Sequence, residues 1–146
     1  MRLYKLKEAY KAFAKDSPGF CERYPTFLKF WWLTIQKRDF HSFAASGIQC
    51  VYAIVEKSPK NEATITDFLV LTPFRNMGLG TTAMRALIEN YETRGFVRLN
   101  IILSKDNVKA IAMFVSNLGF LVDAAETNKL MCYGVKNQVS LYCFLR

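Results

Sequence analysis

Apolar residues recur along this chain at two periods, and the switches between them outline the elements. Over residues 8–16, Ala9, Tyr10, Phe13 and Ala14 fall at helical spacing, and over 25–37 Phe27, Phe30, Trp31 and Ile35 do the same. Leu28 and Trp32 widen that second apolar face, which predicts that it is core. Residues 2–6 alternate and predict a first strand. Two strands follow over 40–44 and 48–56, with Ser46-Gly47 between them as a hairpin signal. Residues 65–71 predict a further strand, stopped by Pro73, and Ala83, Met84, Leu87, Ile88 and Tyr91 predict the helix after it. A strand over 97–103, a helix after Asn107, and two final strands over 129–135 and 139–145 complete the reading. Helices interspersed among strands predict an α/β fold with a mixed, twisted sheet and helices on both faces. No Gly/Ser/Pro-rich linker divides the chain, which predicts one domain over 1–146.

The turn between the strand at 65–71 and its helix holds the most informative residues. Arg75-Asn76-Met77-Gly78-Leu79-Gly80 places glycines where a strand hands over to a helix N-terminus. Free backbone N–H groups and the positive end of the helix dipole make such a turn suited to a phosphate or pyrophosphate. Glycine lets the ligand approach the backbone closely. The pattern lacks the Lys-Ser/Thr ending of a P-loop and the spacing of a dinucleotide fingerprint. A glycine there also serves a strand-to-helix turn for purely structural reasons.

The order of pieces adds to this. Strand, Arg75-x-x-Gly78-x-Gly80, helix, strand, Asn107-x-x-Ala110, helix and Gly119-Phe120 together resemble the GNAT superfamily of acyl-CoA-dependent N-acetyltransferases, over residues 65–120. The resemblance implies a single-domain GNAT-like fold with a mixed twisted sheet of about six to seven strands. It implies acetyl-CoA as cosubstrate, with its pyrophosphate on the backbone of Arg75, Asn76, Met77, Gly78, Leu79, Gly80 and Thr81. Pantetheine would then pair with the strand edge at Val70, Leu71 and Thr72. Asn107 matches the family's cofactor-side asparagine, and Ala110 and Phe114 share its helical face at i+3 and i+7. Asn107 reads equally as a helix N-cap.

The implied reaction is direct attack of a neutral primary amine on the thioester carbonyl. It needs an acceptor for the ammonium proton and an acid for the leaving thiolate. The family often has a tyrosine seven residues after the asparagine; here that residue is Phe114, and counting back from Gly119 lands on Val115. Tyr133 and Tyr142, on the two final predicted strands, are the substitutes, and both also read as packing residues. A thiol with a pKa of about 8.5 leaves with little help, so a dedicated acid is not required. Asp67 and Glu62, on or just before the strand at 65–71, are the acidic candidates for the base, or for holding a cationic substrate.

Charge narrows the acceptor. The formal net charge is +8, and residues 1–60 carry eleven Lys/Arg against five Asp/Glu. Lys7, Lys11 and Lys15 recur on one side of the first helix, a spacing that mildly disfavours it. This predicts an amine on an acidic protein, a nucleotide or a nucleic acid, against ordinary solvated lysines as the alternative. Cys21, Cys50, Cys132 and Cys143 show no metal spacing and read as reduced core thiols of a cytoplasmic protein. With one histidine, His41, no metal is expected. No run is long enough to span a bilayer, and no secretory signal stands at residues 1–15. A homodimer through the final strands is compatible with the fold. Two other readings remain: a CoA-binding or regulatory module that lost catalysis at Phe114, and a small basic nucleic-acid-binding domain stacking bases on Trp31, Trp32 and Phe40.

Overall fold

The computed structural model describes residues 3–146. The elements in order are α1 (Leu3–Asp16), α2 (Phe20–Arg23), α3 (Phe27–Lys37), β1 (Arg38–Ala45), β2 (Ile48–Lys57), β3 (Glu62–Val70) and α4 (Leu79–Thr93), followed by β4 (Arg98–Ser104), α5 (Val108–Ala112), β5 (Leu121–Val122), α6 (Ala124–Cys132) and β6 (Gln138–Phe144). Six strands form one sheet in the order β1-β2-β3-β4-β6-β5. The sheet is mixed: β1–β2, β4–β6 and β5–β6 are antiparallel, and β3–β4 is parallel. The chain divides into two compact units, one of Met1–Lys57 with Thr66–Ala83 and one of Ser58–Ile65 with Met84–Arg146.

In the first unit, helices cover both faces of β2, whose residues from Cys50 to Val55 are all buried. Tyr52 and Ile54 join a core with Leu6, Ala9 and Phe13 of α1, Phe30 of α3 and Leu69 of β3. Val51 packs in a second cluster with Ala83 of α4. Successive strand residues point to opposite faces, so a strand buried on both sides reads as a continuous apolar run. Phe13 and Phe20 stack at 5.0 Å, and Tyr24 meets Phe30 edge-on at 5.4 Å; each such pair contributes about 0.5–1.5 kcal/mol beyond area burial. The β1–β2 turn has positive φ at Ser46 (53°) and Gly47 (80°), the tight hairpin turn that the sequence indicates.

Several expectations are corrected. Residues 3–6 open α1 instead of forming a strand; residue 2 lies outside the described residues. Leu6, Ala9 and Phe13 are the buried residues of α1, and their i, i+3, i+7 stripe outweighs the local alternation. In α3 only part of the broad apolar face is core: Phe30 is fully buried, while Leu28, Trp32 and Ile35 are exposed. Of the three aromatics proposed to stack bases, Trp31 and Phe40 pack against the core and Trp32 alone is exposed. Cys50 is buried, yet Cys21 and Cys132 are exposed and so are not core thiols.

In the second unit, β3 pairs with β4 from Glu62↔Arg98 to Ile65↔Ile101, and β4 pairs along its whole length with β6. Met84, Leu87 and Tyr91 form the buried stripe of α4, with Tyr91 edge-on to Phe96 at 5.2 Å. The predicted strand over 129–135 is instead the end of α6 and its C-cap. Asp123 caps α6 by accepting the Glu126 N–H at 3.0 Å. The other end closes with Gly134 at φ 81° and the Val135 N–H on the Leu130 carbonyl at 2.9 Å. This Asp-x-x-Glu start and Tyr-Gly stop override an apolar run that reads locally as a strand. Among the described residues, no helix is long and apolar enough to cross a membrane.

Candidate functional site

β3 ends at Val70 and the chain turns sharply. The Leu71 N–H donates to the Cys50 carbonyl at 2.9 Å, Pro73 starts a short 3-10 turn over Thr72–Phe74, and Arg75 Nε–H donates back to the Val70 carbonyl at 3.0 Å. Asn76 and Gly78 then adopt φ of 63° and 73°. Gly78 takes that conformation without steric cost, and a Cβ there would meet nothing within 4 Å, so the space beside it is open. Its carbonyl receives the N–H and the hydroxyl of Thr82, both at 3.1 Å, which makes Gly78 the residue before α4. The N–H groups of Leu79, Gly80 and Thr81 therefore lie in the first turn, where α-helix geometry offers them no partner and the dipole is positive. The carbonyls of Val70, Leu71 and Thr72 accept from Arg75 Nε, the Phe74 N–H and the Arg75 N–H respectively.

In the second unit, Asn107 Oδ1 accepts the Ala110 N–H at 3.3 Å and so caps α5. Past α5 the helix widens into a π turn over Met113–Asn117, with the Leu118 N–H on the Met113 carbonyl at 3.1 Å. A π turn holds one residue more than an α turn. It is where the chain absorbs the spacing mismatch between Asn107 and Gly119.

Each unit also contains one buried or half-buried charge cluster. In the first, Asp67 is buried and its Oδ1 accepts from Arg23 Nη2 at 2.7 Å, while Oδ2 has no hydrogen-bond partner among the described residues. Burial raises the Asp67 pKa, and the Arg23 guanidinium opposes this only in part. Beside it, Arg38 donates to the Tyr24 hydroxyl at 2.7 Å. In the second, Arg98 gathers three partners: Nε–H on Asn100 Oδ1 at 2.6 Å, Nε 3.7 Å from Glu62 Oε1, and Nη2 on Asp123 Oδ2. Asn100 also donates to Glu62 Oε1 at 3.4 Å. The Glu126 N–H on its carboxylate, reinforced by Arg98, holds Asp123 below the usual carboxylate range. Arg23, Arg98 and Asp123 were not legible as site residues. Only the Asp123 cap spacing was a signal.

The family model for the acetyltransferase (GNAT) family matches residues 6–120 of this chain. The chain belongs to the GNAT acetyltransferase family. Solved structures agree on the fold. The ribosomal-protein-S18-alanine N-acetyltransferase of Escherichia coli is 19% identical at a TM-score of 0.73, over 99% of this chain and 89% of that one. Ard1 of Thermoplasma volcanium is 18% identical at 0.76, over 100% and 95%. The PaiA N-acetyltransferase of Thermoplasma acidophilum, solved in complex with coenzyme A, is 11% identical at 0.75, over 99% and 95%. No curated protein sequence matches significantly.

Against the GNAT pattern, the tyrosine position is closed to chemistry. Phe114 is 1% exposed and packs edge-on against Phe120 at 5.1 Å. Phe114→Tyr is expected to cost about 1–2 kcal/mol in denaturant unfolding, because its hydroxyl enters an apolar site, and to leave acetyl transfer no faster. A rate gain in that variant would contradict this reading. Tyr133 is not on a strand: it is the C-cap of α6 and 78% exposed. Tyr142 is on β6 as expected, half-buried, with the Arg98 guanidinium 4.1 Å from its ring centre and Phe144 edge-on at 5.2 Å.

Proposed function

We propose that this GNAT chain moves the acetyl group of acetyl-CoA to a primary amine by direct attack. The glycine turn carries the reading: the first-turn N–H groups of α4 and the open space at Gly78 suit a pyrophosphate. Acetyl-CoA is the cosubstrate, as family membership implies. Its pantetheine amides would pair with the backbone of Val70, Leu71 and Thr72, past the four-residue register of β3 with β4. Asn107 caps α5 and Ala110 lies within it, whereas Phe114 falls beyond α5 in the π turn and is buried, so its side chain is not offered to a cofactor.

The amine nitrogen bonds to the thioester carbon, the C–S bond breaks, and the amine proton passes to a base while the thiolate departs or is protonated. Two carboxylates can take that proton through water. Asp67 has an oxygen without a hydrogen-bond partner among the described residues, and burial raises its pKa, which makes it a stronger proton acceptor than a free carboxylate. Glu62 is half-buried and held by Asn100 and Arg98. The base is the one whose amide variant, Asp67→Asn or Glu62→Gln, loses the acidic limb of the kcat/KM profile. Tyr142 is the remaining candidate for the acid.

The acceptor we propose is an amine on an acidic protein, a nucleotide or a nucleic acid, drawn by the lysines of α1. Lys11 lies 3.8 Å from Glu8, and Lys7 Nζ is 5.8 Å from the Phe27 ring centre. The triple variant Lys7→Glu, Lys11→Glu, Lys15→Glu is expected to raise the acceptor KM at least about tenfold at low salt and less at high salt. Equal kinetics for wild type and variant would remove the lysines from the account. The function itself is tested by thiol release from acetyl-CoA over a panel of primary and tertiary amines. Release with primary amines alone is expected. Tight acetyl-CoA binding with no release would favour the non-catalytic CoA-binding reading, to which Phe114 points.

A further inference from the structure

The sheet has two edges, β1 and β5. An edge strand offers a row of backbone donors and acceptors to any further strand, and proteins blunt such edges with shortness, proline, lysine or a bulge. β5 is blunted by its length, two residues. β1 has none of these protections. It runs eight residues, Arg38–Ala45, and holds neither proline nor lysine. From Phe40 to Ala45 it carries no acidic residue, lysine or arginine at all. Its pairing with β2 shifts once, between Phe43 and Ala44, but the residue left over is Cys50 of β2, so β1 itself stays regular.

The charges of β1 select its partner. Arg38 and Asp39 stand at its first two positions, and each is paired within its own chain, Arg38 3.7 Å from Glu56 and Asp39 3.0 Å from Lys57. A second β1 lying parallel would set each charge beside its like. One lying antiparallel about a twofold axis carries them to opposite ends of the seam. Such an axis stands perpendicular to the sheet and preserves its faces, while residues opposite each other on paired strands share a face. The seam therefore centres on one residue, not between two. Centred on Ser42, it sets His41 opposite Phe43, Phe40 opposite Ala44 and Asp39 opposite Ala45. His41 and Phe43 already stack at 6.4 Å within the strand, and this register carries that stack across both copies. Phe40, stacked on Tyr52 at 5.8 Å, meets only the small Ala44. Centred on His41, the seam would instead set Asp39 against Phe43.

We propose that β1 pairs antiparallel with the β1 of a second copy of this chain, in the register centred on Ser42. This puts self-association at the edge opposite the final strands, because β6 lies inside the sheet between β4 and β5. The pairing is made by backbone groups and uncharged side chains, so it does not need the acidic partner that the lysines of α1 suit. It does not depend on the acyl-transfer reading either, since no residue of β1 belongs to the cofactor site.

The test is sedimentation equilibrium of the full chain up to about 0.5 mM, with Ser42→Lys, Ser42→Glu and their equimolar mixture beside wild type. Wild type is expected to dimerise by mass action, and more readily in added salt, which screens the repulsion between two chains of formal net charge +8. Each variant sets like charges face to face at the centre of the seam and is expected to weaken the dimer at least about tenfold. The mixture sets the lysine of one copy opposite the glutamate of the other and is expected to restore it. Thermal melts show that the variants are folded. Ala44→Glu, at the exposed position of β1, weakens the dimer likewise without placing a charge at half-buried Ser42. A wild type that stays monomeric throughout would overturn the proposal. So would a dimer that all three variants leave at wild-type strength, or folded Ser42 variants whose mixture pairs no better than either alone.

Discussion

Thr81→Glu is expected to weaken acetyl-CoA binding at least about 100-fold while the protein stays folded. Thr81 is the third residue of α4, counted from its first residue Leu79. A glutamate at the third helical position is favoured by the dipole and by its reach back to the N-terminus, so the helix is stabilised. The same carboxylate occupies and repels the position assigned to the pyrophosphate. Loss of about two charge-assisted hydrogen bonds, roughly 1.5–3 kcal/mol each, sets the magnitude. Gly80 is a poorer choice, since it is buried and a side chain there mixes packing with charge. Calorimetric titration of acetyl-CoA, beside a thermal melt, reads both halves. Unchanged affinity in the folded variant would place the pyrophosphate elsewhere.

The second large effect concerns stability. Arg23→Ala is expected to destabilise the protein by about 2–3 kcal/mol near neutral pH, because it strands the buried Asp67 carboxylate. That is toward the low end for a broken buried pair, since the Arg23 side chain is 48% exposed. The effect depends on pH in a definite direction. Burial keeps the folded pKa of Asp67 above its unfolded value even with Arg23 present. Its favourable contribution is therefore complete below the unfolded value of 3.8 and is lost as pH rises through the raised folded value. Removing Arg23 raises that folded value further, so the destabilisation grows as pH rises and fades in acid. By the same sign, Asp67→Asn gains on wild type as pH rises. Urea unfolding at pH 5 and pH 8 measures both. A pH-independent Arg23→Ala penalty would mean that Asp67 keeps its charge throughout.

What the sequence revealed and what it hid follow from the range of the forces involved. The β1–β2 hairpin, β3 and the turn into α4 were legible because their signals are local: Ser46-Gly47, Pro73, and Gly78 at a positive φ. Phe114 was legible as a departure, but its burial against Phe120 depends on the π turn over Met113–Asn117, which one inserted residue does not announce. The ends failed where local pattern and tertiary packing disagree. Residues 3–6 alternate like a strand but continue the buried stripe of α1, and 129–135 reads as a strand while Asp123 and Gly134 delimit a helix. The partners of Asp67 and Glu62 were invisible for a further reason. Arg23 is 44 residues from Asp67, and Asp123 is 25 from Arg98, separations at which one sequence shows no pairing signal.

The central claim is that the N-terminal turn of α4 receives the phosphates of acetyl-CoA. Its most direct test is amide NMR of the nitrogen-15-labelled chain, titrated with acetyl-CoA. The account predicts that the Gly78, Leu79, Gly80 and Thr81 amides shift most and saturate together, as donors gaining charged acceptors do. Saturable binding that leaves those four amides unmoved would contradict it.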